Sequence, residues 1–157
     1  MRRKEREIID HEKINYFLAQ QQILRIAFYD DGEIYIVPVN YGFMEDDGSY
    51  VFYFHGAKAG RKYELSQSKP TVGFEIDGYY QLVVQEKPCD YTATFQSVVG
   101  TGKIELIDDI KKKIVGLNTI MKQSTNQSEW HYDTNMLNAV VIYKLTVQKI
   151  SCKANII

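Results

Sequence analysis

A short glycine-containing segment followed by three basic side chains is the clearest candidate for chemistry in this chain. The basic residues are Lys58, Arg61 and Lys62. Residues 50–54 are aromatic and β-branched, which predicts a strand, and residues 63–65 predict the first turns of a helix. Between them, Gly56 and Gly60 allow a ligand to approach the backbone closely. A helix N-terminus with nearby cations suits a phosphate, although a solvated basic helix start is the alternative interpretation.

The sequence lacks the other common signatures of nucleotide binding and nucleophilic catalysis. The basic segment does not match a Walker A loop, and no G-x-G-x-x-G follows a predicted strand to open a helix. Ser97 lies in S-V-V-G rather than in a G-x-S-x-G elbow. The G-T-G-K of residues 100–103 lies inside a predicted strand, where a bend is favoured over a phosphate loop. A Rossmann domain is therefore excluded, and any NADH or NADPH would act as a substrate.

The histidines and cysteines do not follow a metal-binding pattern. His11 lies at a predicted helix start, His131 lies in a polar segment, and Cys89 and Cys152 form no C-x-x-C. We therefore expect no metal site. We also expect both cysteines to be free thiols in a reducing compartment, with one disulfide between them as the alternative. His55 differs because it ends a predicted strand and starts the glycine segment. It either satisfies a local carbonyl or handles a proton for a ligand.

The elements that must position these residues are short strands and a few helices. Strands are predicted over residues 23–29, 34–41, 50–54, 72–76, 91–106 and 140–151, and helices over residues 10–21, about 59–67 and 108–124. D-G pairs predict hairpin turns at residues 30–33 and 46–48. Pro38 marks an edge, a bulge or a ligand-facing position in its strand. Residues 77–90 are ambiguous between strand and loop.

The helices show apolar faces that should pack on a sheet. The first helix is capped by Asp10, and the third carries an apolar stripe of Ile110, Ile114, Leu117 and Met121. Six or seven strands without repeated β-α alternation predict a mainly β, α+β fold, an antiparallel barrel with peripheral helices. At 157 residues, the chain is expected to form one domain over residues 1–157.

Charge and hydropathy narrow the classes of partner. A net charge of −1 gives no general attraction for nucleic acid, and Glu5 and Glu7 dilute the basic N-terminus. No apolar run approaches the roughly 18 residues of a membrane span. We therefore expect a cytoplasmic protein that binds neither nucleic acid nor a membrane.

Four segments, taken in order, resemble a known family of flavoproteins. They are I-V-P-V-N-Y-G at residues 36–42, F-H-G-A at 54–57, G-R-K at 60–62 and S-V-V-G-T-G-K at 97–103. Their order and spacing resemble the pyridoxamine 5'-phosphate oxidase-related proteins, and within them the nitroimidazole-resistance branch. Residues 2–8 and 121–123 resemble that branch as well. The resemblance covers nearly the whole chain and implies an FMN-binding split β-barrel, a homodimer and FMN at the subunit interface.

The resemblance also implies which residues contact the flavin. Arg61 and Lys62 are candidates for the FMN phosphate, with Lys58 as a weaker one. Neighbouring helix positions point about 100° apart, so either both side chains converge on the phosphate or one faces elsewhere, and Lys62 is favoured. His55 would lie beside the flavin as the catalytic residue, where it orients substrate or moves a proton. The remaining implied contacts are Val37, Pro38, Val39, Asn40, Phe54, Gly56, Ala57, Ser97, Val98, Val99 and Trp130. Trp130 fits an ordinary core or interface residue equally well.

The resemblance leaves three functions open. The first is an FMN-dependent oxidoreductase that uses NAD(P)H to reduce a small organic molecule, such as a nitroaromatic compound. The second is a flavin- or haem-binding protein without turnover. The third is pyridoxamine-phosphate oxidation itself, which is disfavoured because no substrate-phosphate cluster exists apart from residues 58–62.

Overall fold

Eight antiparallel strands form one sheet in the computed structural model, which describes residues 3–155. The strands are β1 (Glu7–Ile8), β2 (Ile23–Asp30), β3 (Glu33–Asn40), β4 (Gly42–Asp46), β5 (Ser49–Ala57), β6 (Thr71–Val83), β7 (Thr92–Ile107) and β8 (Val140–Asn155). The helices are α1 (His11–Gln20), α2 (Arg61–Ser68), α3 (Ile110–Thr125) and α4 (Thr134–Ala139), with short 3-10 turns at Lys4–Arg6 and Pro88–Asp90. Arg2, part of the N-terminal resemblance, lies outside the described residues.

The sheet curls around one main apolar core. Its strand order is β3-β2-β6-β7-β8-β5-β4, and β1 pairs with β8 beside this path. The strands at the two ends of that order pack on the same core, β3 through Val37 and Val39 and β4 through Phe43. The result is an unclosed barrel, which confirms the predicted antiparallel, mainly β fold with peripheral helices. The sequence missed two strands, the two-residue β1 and the five-residue β4, and one helix, the six-residue α4.

The two predicted D-G hairpins and the Asp10 cap are confirmed. Asp31 and Asp47 adopt positive φ angles of 49° and 47°, and each is followed by a glycine that also has positive φ. The Asp10 carboxylate accepts hydrogen bonds from the first turn of α1, including one of 3.0 Å from the Glu12 N–H. These local signals predict correctly because the interactions behind them span only a few residues.

Pro38 lies on an edge strand, and an edge was one of the positions that the sequence predicted for this residue. Among the described strands, β3 pairs only with β2, and Pro38 lies opposite Arg25. A prolyl residue is tolerated there because an edge strand has no second neighbour that needs its missing N–H.

The predicted apolar stripe of α3 is only partly right. Ile110 is 46% exposed, whereas Lys113, Gly116 and Ile120 are the covered positions. The cause is a close backbone approach, since any side chain at Gly42 of β4 would collide with the Thr119 carbonyl of α3. The positions of α3 that are most buried are therefore Lys113, Gly116 and Ile120, while Ile114, Leu117 and Met121 of the predicted stripe are half-buried.

None of the helices within residues 3–155 combines the length and the apolar character that crossing a bilayer requires.

Candidate functional site

The segment predicted to be a glycine loop is largely strand. His55, Gly56 and Ala57 continue β5 and pair with Ile142, Val141 and Val140 of β8. The prediction that His55 starts a loop is therefore wrong, because pairing with a strand distant in sequence extends β5. Only residues 58–60 connect β5 to α2, and Gly60 takes a positive φ of 93° just before the helix.

Lys62 lies on an aromatic surface at the N-terminus of α2. Its Nζ lies 4.8 Å from the ring centre of Tyr143 and 5.5 Å from that of Phe54. These two rings stack on each other with centroids 4.7 Å apart. A side chain at Gly56 would come within 2.9 Å of the Lys62 Nζ, so glycine leaves room for the ammonium group. Gly56 therefore matters for space at this site and not for a turn.

The charge of Lys62 is not neutralised by a carboxylate of residues 3–155. Burial lowers the pKa of Lys62, and no acidic neighbour opposes that shift. A half-buried ammonium without a counter-ion is costly, and an anion bound beside it would remove that cost. Lys62 is therefore the best-placed side chain of the described region for holding a phosphate.

The start of α2 adds backbone donors at the same place. Gly60 supplies no side-chain cap, and the first intrahelical hydrogen bond is the 3.1 Å bond from the Glu64 N–H to the Gly60 carbonyl. The N–H groups of the first turn therefore have no side-chain cap among the described residues, and they carry the positive end of the helix dipole. This is the arrangement that binds phosphates at helix N-termini.

Arg61 lies next to Lys62 but is already engaged in ion pairs. Its guanidinium contacts Asp30 and Glu33 at 2.9 Å each and lies 4.9 Å from the ring centre of Tyr35 on β3. Hydrogen bonds from Lys69 and then Arg61 lower the pKa of Asp30, so the carboxylate stays charged. Arg61 thus connects α2 to the β2–β3 hairpin, and its charge is largely satisfied within the chain.

Lys58 is also neutralised within the chain. Its Nζ lies 2.8 Å from Asp108, which a second lysine, the buried Lys113, contacts at 2.7 Å. Lys113 and then Lys58 lower the pKa of Asp108 to about 2. Lys113 also donates to the Leu137 carbonyl at 2.7 Å, so this cluster connects the residue after β5 to α3 and α4.

His55 lies on the face of β5 opposite Phe54, because successive side chains of a strand alternate. It is exposed in the single chain. The surrounding protein and then the positive charge of Lys62 lower the pKa of the imidazole below its usual value of 6.5. The ring is therefore neutral at pH 7, where it can accept a proton or donate one N–H.

The two other predicted flavin-binding strands alternate in the same way. On β3, Val37 and Val39 face the core while Pro38 and Asn40 are exposed. On β7, Val98 is fully buried, whereas Ser97 is partly exposed and Val99 is 46% exposed. The structure brings β3 and β5 together across the core, and Arg61 on Tyr35 connects α2 to them. Residues 97–99 do not join them within one chain, because β2 and β6 lie between β3 and β7.

Trp130 lies in the segment between α3 and α4. It is 37% exposed, and its indole N–H donates to the Gln127 carbonyl at 3.2 Å. It lines a small surface groove with Asn118, Glu129 and His131, which contains no other predicted flavin-binding residue. The interpretation of Trp130 as a core residue is therefore wrong, and its role toward the flavin stays a prediction.

The sequence did not predict the tyrosine rings that line this site or the carboxylates that neutralise two of its cations. Tyr143 and Tyr35 line it, and Asp30, Glu33 and Asp108 decide which cations are free. These partners lie many residues away, and no local pattern reports them. Within residues 3–155, the acidic, histidine and cysteine side chains form no group of three that is arranged to hold a metal ion.

Comparison with known proteins gives one family and several similar structures. The model of the family described as pyridoxamine 5'-phosphate oxidase matches residues 10–154. A candidate 5-nitroimidazole antibiotic resistance protein from Bacteroides thetaiotaomicron has 28% sequence identity and a TM-score of 0.81, with 94% of this chain and 86% of that chain covered.

Two further structures share the fold at lower identity. A flavocytochrome from Azotobacter vinelandii has 19% identity and a TM-score of 0.79, covering 99% of this chain and 72% of that one. An FAD- and haem-binding protein from Mycobacterium smegmatis has 15% identity and a TM-score of 0.83, covering 96% of this chain and 73% of that one. No curated protein matches the sequence at a significant level.

Proposed function

The chain belongs to the pyridoxamine 5'-phosphate oxidase family, and on this basis we propose that it is an FMN-dependent oxidoreductase that reduces a small organic molecule. The observation that carries the proposal is the position of Lys62, whose charge is not neutralised among the described residues, at an uncapped helix N-terminus above the Phe54–Tyr143 stack. One ammonium and one helix end suit the single phosphate of FMN. The residues present therefore fit this cofactor.

FMN, when bound, supplies the electron-transfer chemistry that amino-acid side chains lack. The chain would hold the phosphate through Lys62 and place the backbone of residues 37–40 along the edge of the ring system. His55 would hold or move a proton beside it, since its imidazole is neutral at pH 7. We propose NAD(P)H as the electron donor and a nitroaromatic compound as one class of acceptor. The similarity to the candidate nitroimidazole resistance protein supports the acceptor class.

The absorption spectrum of the purified protein tests this proposal and separates it from its main alternative. Flavin and haem are the two cofactors to distinguish, because the fold is shared with a flavocytochrome and with an FAD- and haem-binding protein. We expect the blue and near-ultraviolet bands of flavin, release of FMN on denaturation, and NAD(P)H consumption when a nitroaromatic acceptor is added. A Soret band with no flavin would contradict the proposal, and bound flavin without turnover would support a non-catalytic flavoprotein.

We also propose a homodimer in which residues 97–99 of one subunit complete the flavin site of the other. Ser97 and Val99 face outward and lie far from β3 in the strand order, so one chain alone does not place them beside residues 37–40. The outer face of the same sheet exposes apolar side chains that a partner would cover: Tyr29, Ile34, Ile36 and Val99.

Light scattering at micromolar concentration is expected to give the mass of a dimer. Replacing Ile36, which is 60% exposed on β3, with aspartate should shift the equilibrium to monomer and weaken FMN binding together. A monomeric wild-type protein that binds FMN stoichiometrically would refute the shared site.

A further inference from the structure

A separate groove lies between α1 and the paired strands β6 and β7. Its volume is about 880 Å³, which is in the range of small-molecule sites. None of the residues predicted to contact the flavin lines it. Four aromatic residues contribute to its walls: Tyr16, Tyr79, Tyr80 and Phe95. The size and the aromatic walls suit a small flat molecule.

A β-bulge turns two of these tyrosines toward the groove. Gly78 pairs with Gln96 and Gln81 pairs with Thr94, so both Tyr79 and Tyr80 lie opposite the single residue Phe95. In a regular strand, two successive side chains would point to opposite faces. A bulge changes that alternation and is a common way to aim a side chain at a binding site.

The bulge holds Tyr79 in an unusual backbone conformation. Its φ is 60°, in the left-handed region that bulky residues rarely adopt. The Thr94 hydroxyl donates to the Tyr79 carbonyl at 3.1 Å, and the Tyr79 ring packs edge-on against the buried Phe17 with centroids 5.5 Å apart. Strain that is fixed in this way by its surroundings is found mostly at functional sites.

Charges at one side of the groove restrict the ligand. Asp10, Glu12 and Lys13 lie there, and the Lys13 ammonium is 3.8 Å from the Asp10 carboxylate. Among the residues that line the groove, this pair offsets its own charge and Glu12 adds one negative charge. Two cations outside the lining, Arg6 and Lys153, lie 6.0 Å and 5.3 Å from the ring centre of Phe95. The faces of tyrosine rings also attract cations. Glu12 lies about one helical turn from Tyr16 on α1, so this side of the groove favours a cation over a phosphate or a carboxylate.

We propose that this groove binds a flat nitrogen heterocycle that is positively charged or neutral, stacked on Tyr80 and Tyr16. Both rings are available, since Tyr80 is 74% exposed and Tyr16 is 66% exposed. The proposal does not depend on the flavin site, because none of the residues predicted to contact the flavin lines this groove.

The test is a calorimetric titration of the purified protein with three matched compounds. The cation 1-methylnicotinamide should bind most tightly, neutral nicotinamide next, and the anion nicotinate most weakly. Tyr80→Ala should weaken binding of 1-methylnicotinamide about two- to thirtyfold, the usual range for a cation on an aromatic ring. Tyr91→Ala is the matched control, because Tyr91 is 43% exposed and does not line the groove. Glu12→Gln should reduce the preference for the cation over the neutral compound.

Three results would overturn the proposal: no saturable binding of 1-methylnicotinamide, equal affinities for Tyr80→Ala and Tyr91→Ala, or nicotinate binding as tightly as the cation. A groove covered by a second copy of the chain would give the first result and would make dimerisation sensitive to Tyr80→Ala. FMN affinity, measured in the same samples, should not change in Tyr80→Ala. If FMN fails to bind while 1-methylnicotinamide binds, only the flavin function is rejected.

Discussion

Replacing Lys62 with alanine is expected to weaken FMN binding by about ten- to a hundredfold. A hydrogen bond to a charged group contributes roughly 1.5–3 kcal/mol, and each 1.4 kcal/mol is about a factor of ten in affinity. Lys62 should reach this range because its charge is not neutralised among the described residues and its ammonium is half-buried on two rings. Quenching of FMN fluorescence during titration of the apoprotein measures the dissociation constant.

Two control variants make this experiment specific to the site. Lys111→Ala removes an exposed lysine from α3 and should leave FMN affinity unchanged. Arg61→Ala should weaken FMN binding less than Lys62→Ala does, because Asp30 and Glu33 already form ion pairs with the guanidinium. Thermal unfolding followed by circular dichroism shows whether each variant is folded. A folded Lys62→Ala protein with wild-type FMN affinity would reject Lys62 as the phosphate ligand.

The unequal roles of the three cations show what the sequence could not predict. Lys58, Arg61 and Lys62 are near neighbours and look equivalent in the sequence, yet only Lys62 has no carboxylate partner within the described residues. The difference is made by Asp30 and Asp108, which β2 and the end of β7 bring to the site. Such ion pairs depend on the order of the strands in the sheet, and a local sequence pattern does not report that order.

The same limit explains the error at His55 and Gly56. A histidine followed by a glycine at the end of an aromatic run favours a loop, but Ile142 and Val141 of β8 extend the strand through both residues. The general fold was predictable because D-G turns, the Asp10 cap and the alternation of strand residues are local signals. The bulge at Tyr79 and Tyr80 was not, since a bulge is defined by two strands together.

His55→Ala is expected to slow reoxidation of the reduced protein by a nitroaromatic acceptor, while FMN affinity and stability stay close to wild type. General acid–base catalysis typically contributes about 10²–10⁴-fold, which sets the size of the effect. Stability should be little affected because His55 is exposed in the single chain. Stopped-flow absorbance at the flavin band gives the reoxidation rate directly. His55→Asn is the matched variant, because it keeps a hydrogen-bonding group but cannot titrate.

The pH dependence distinguishes proton transfer from simple positioning. Partial desolvation by the surrounding protein and then the charge of Lys62 lower the pKa of His55 from its usual 6.5, so the imidazole becomes a charged acid at a lower pH than a free histidine. If His55 donates a proton to the acceptor, the wild-type rate should rise as the pH falls through this lowered pKa, and neither variant should show that rise. If His55 only orients substrate, His55→Asn should retain most of the rate and the profiles should be parallel. Equal rates for wild type and His55→Ala across about pH 5.5–8.5, a range that spans the titration of a histidine, would reject a catalytic role.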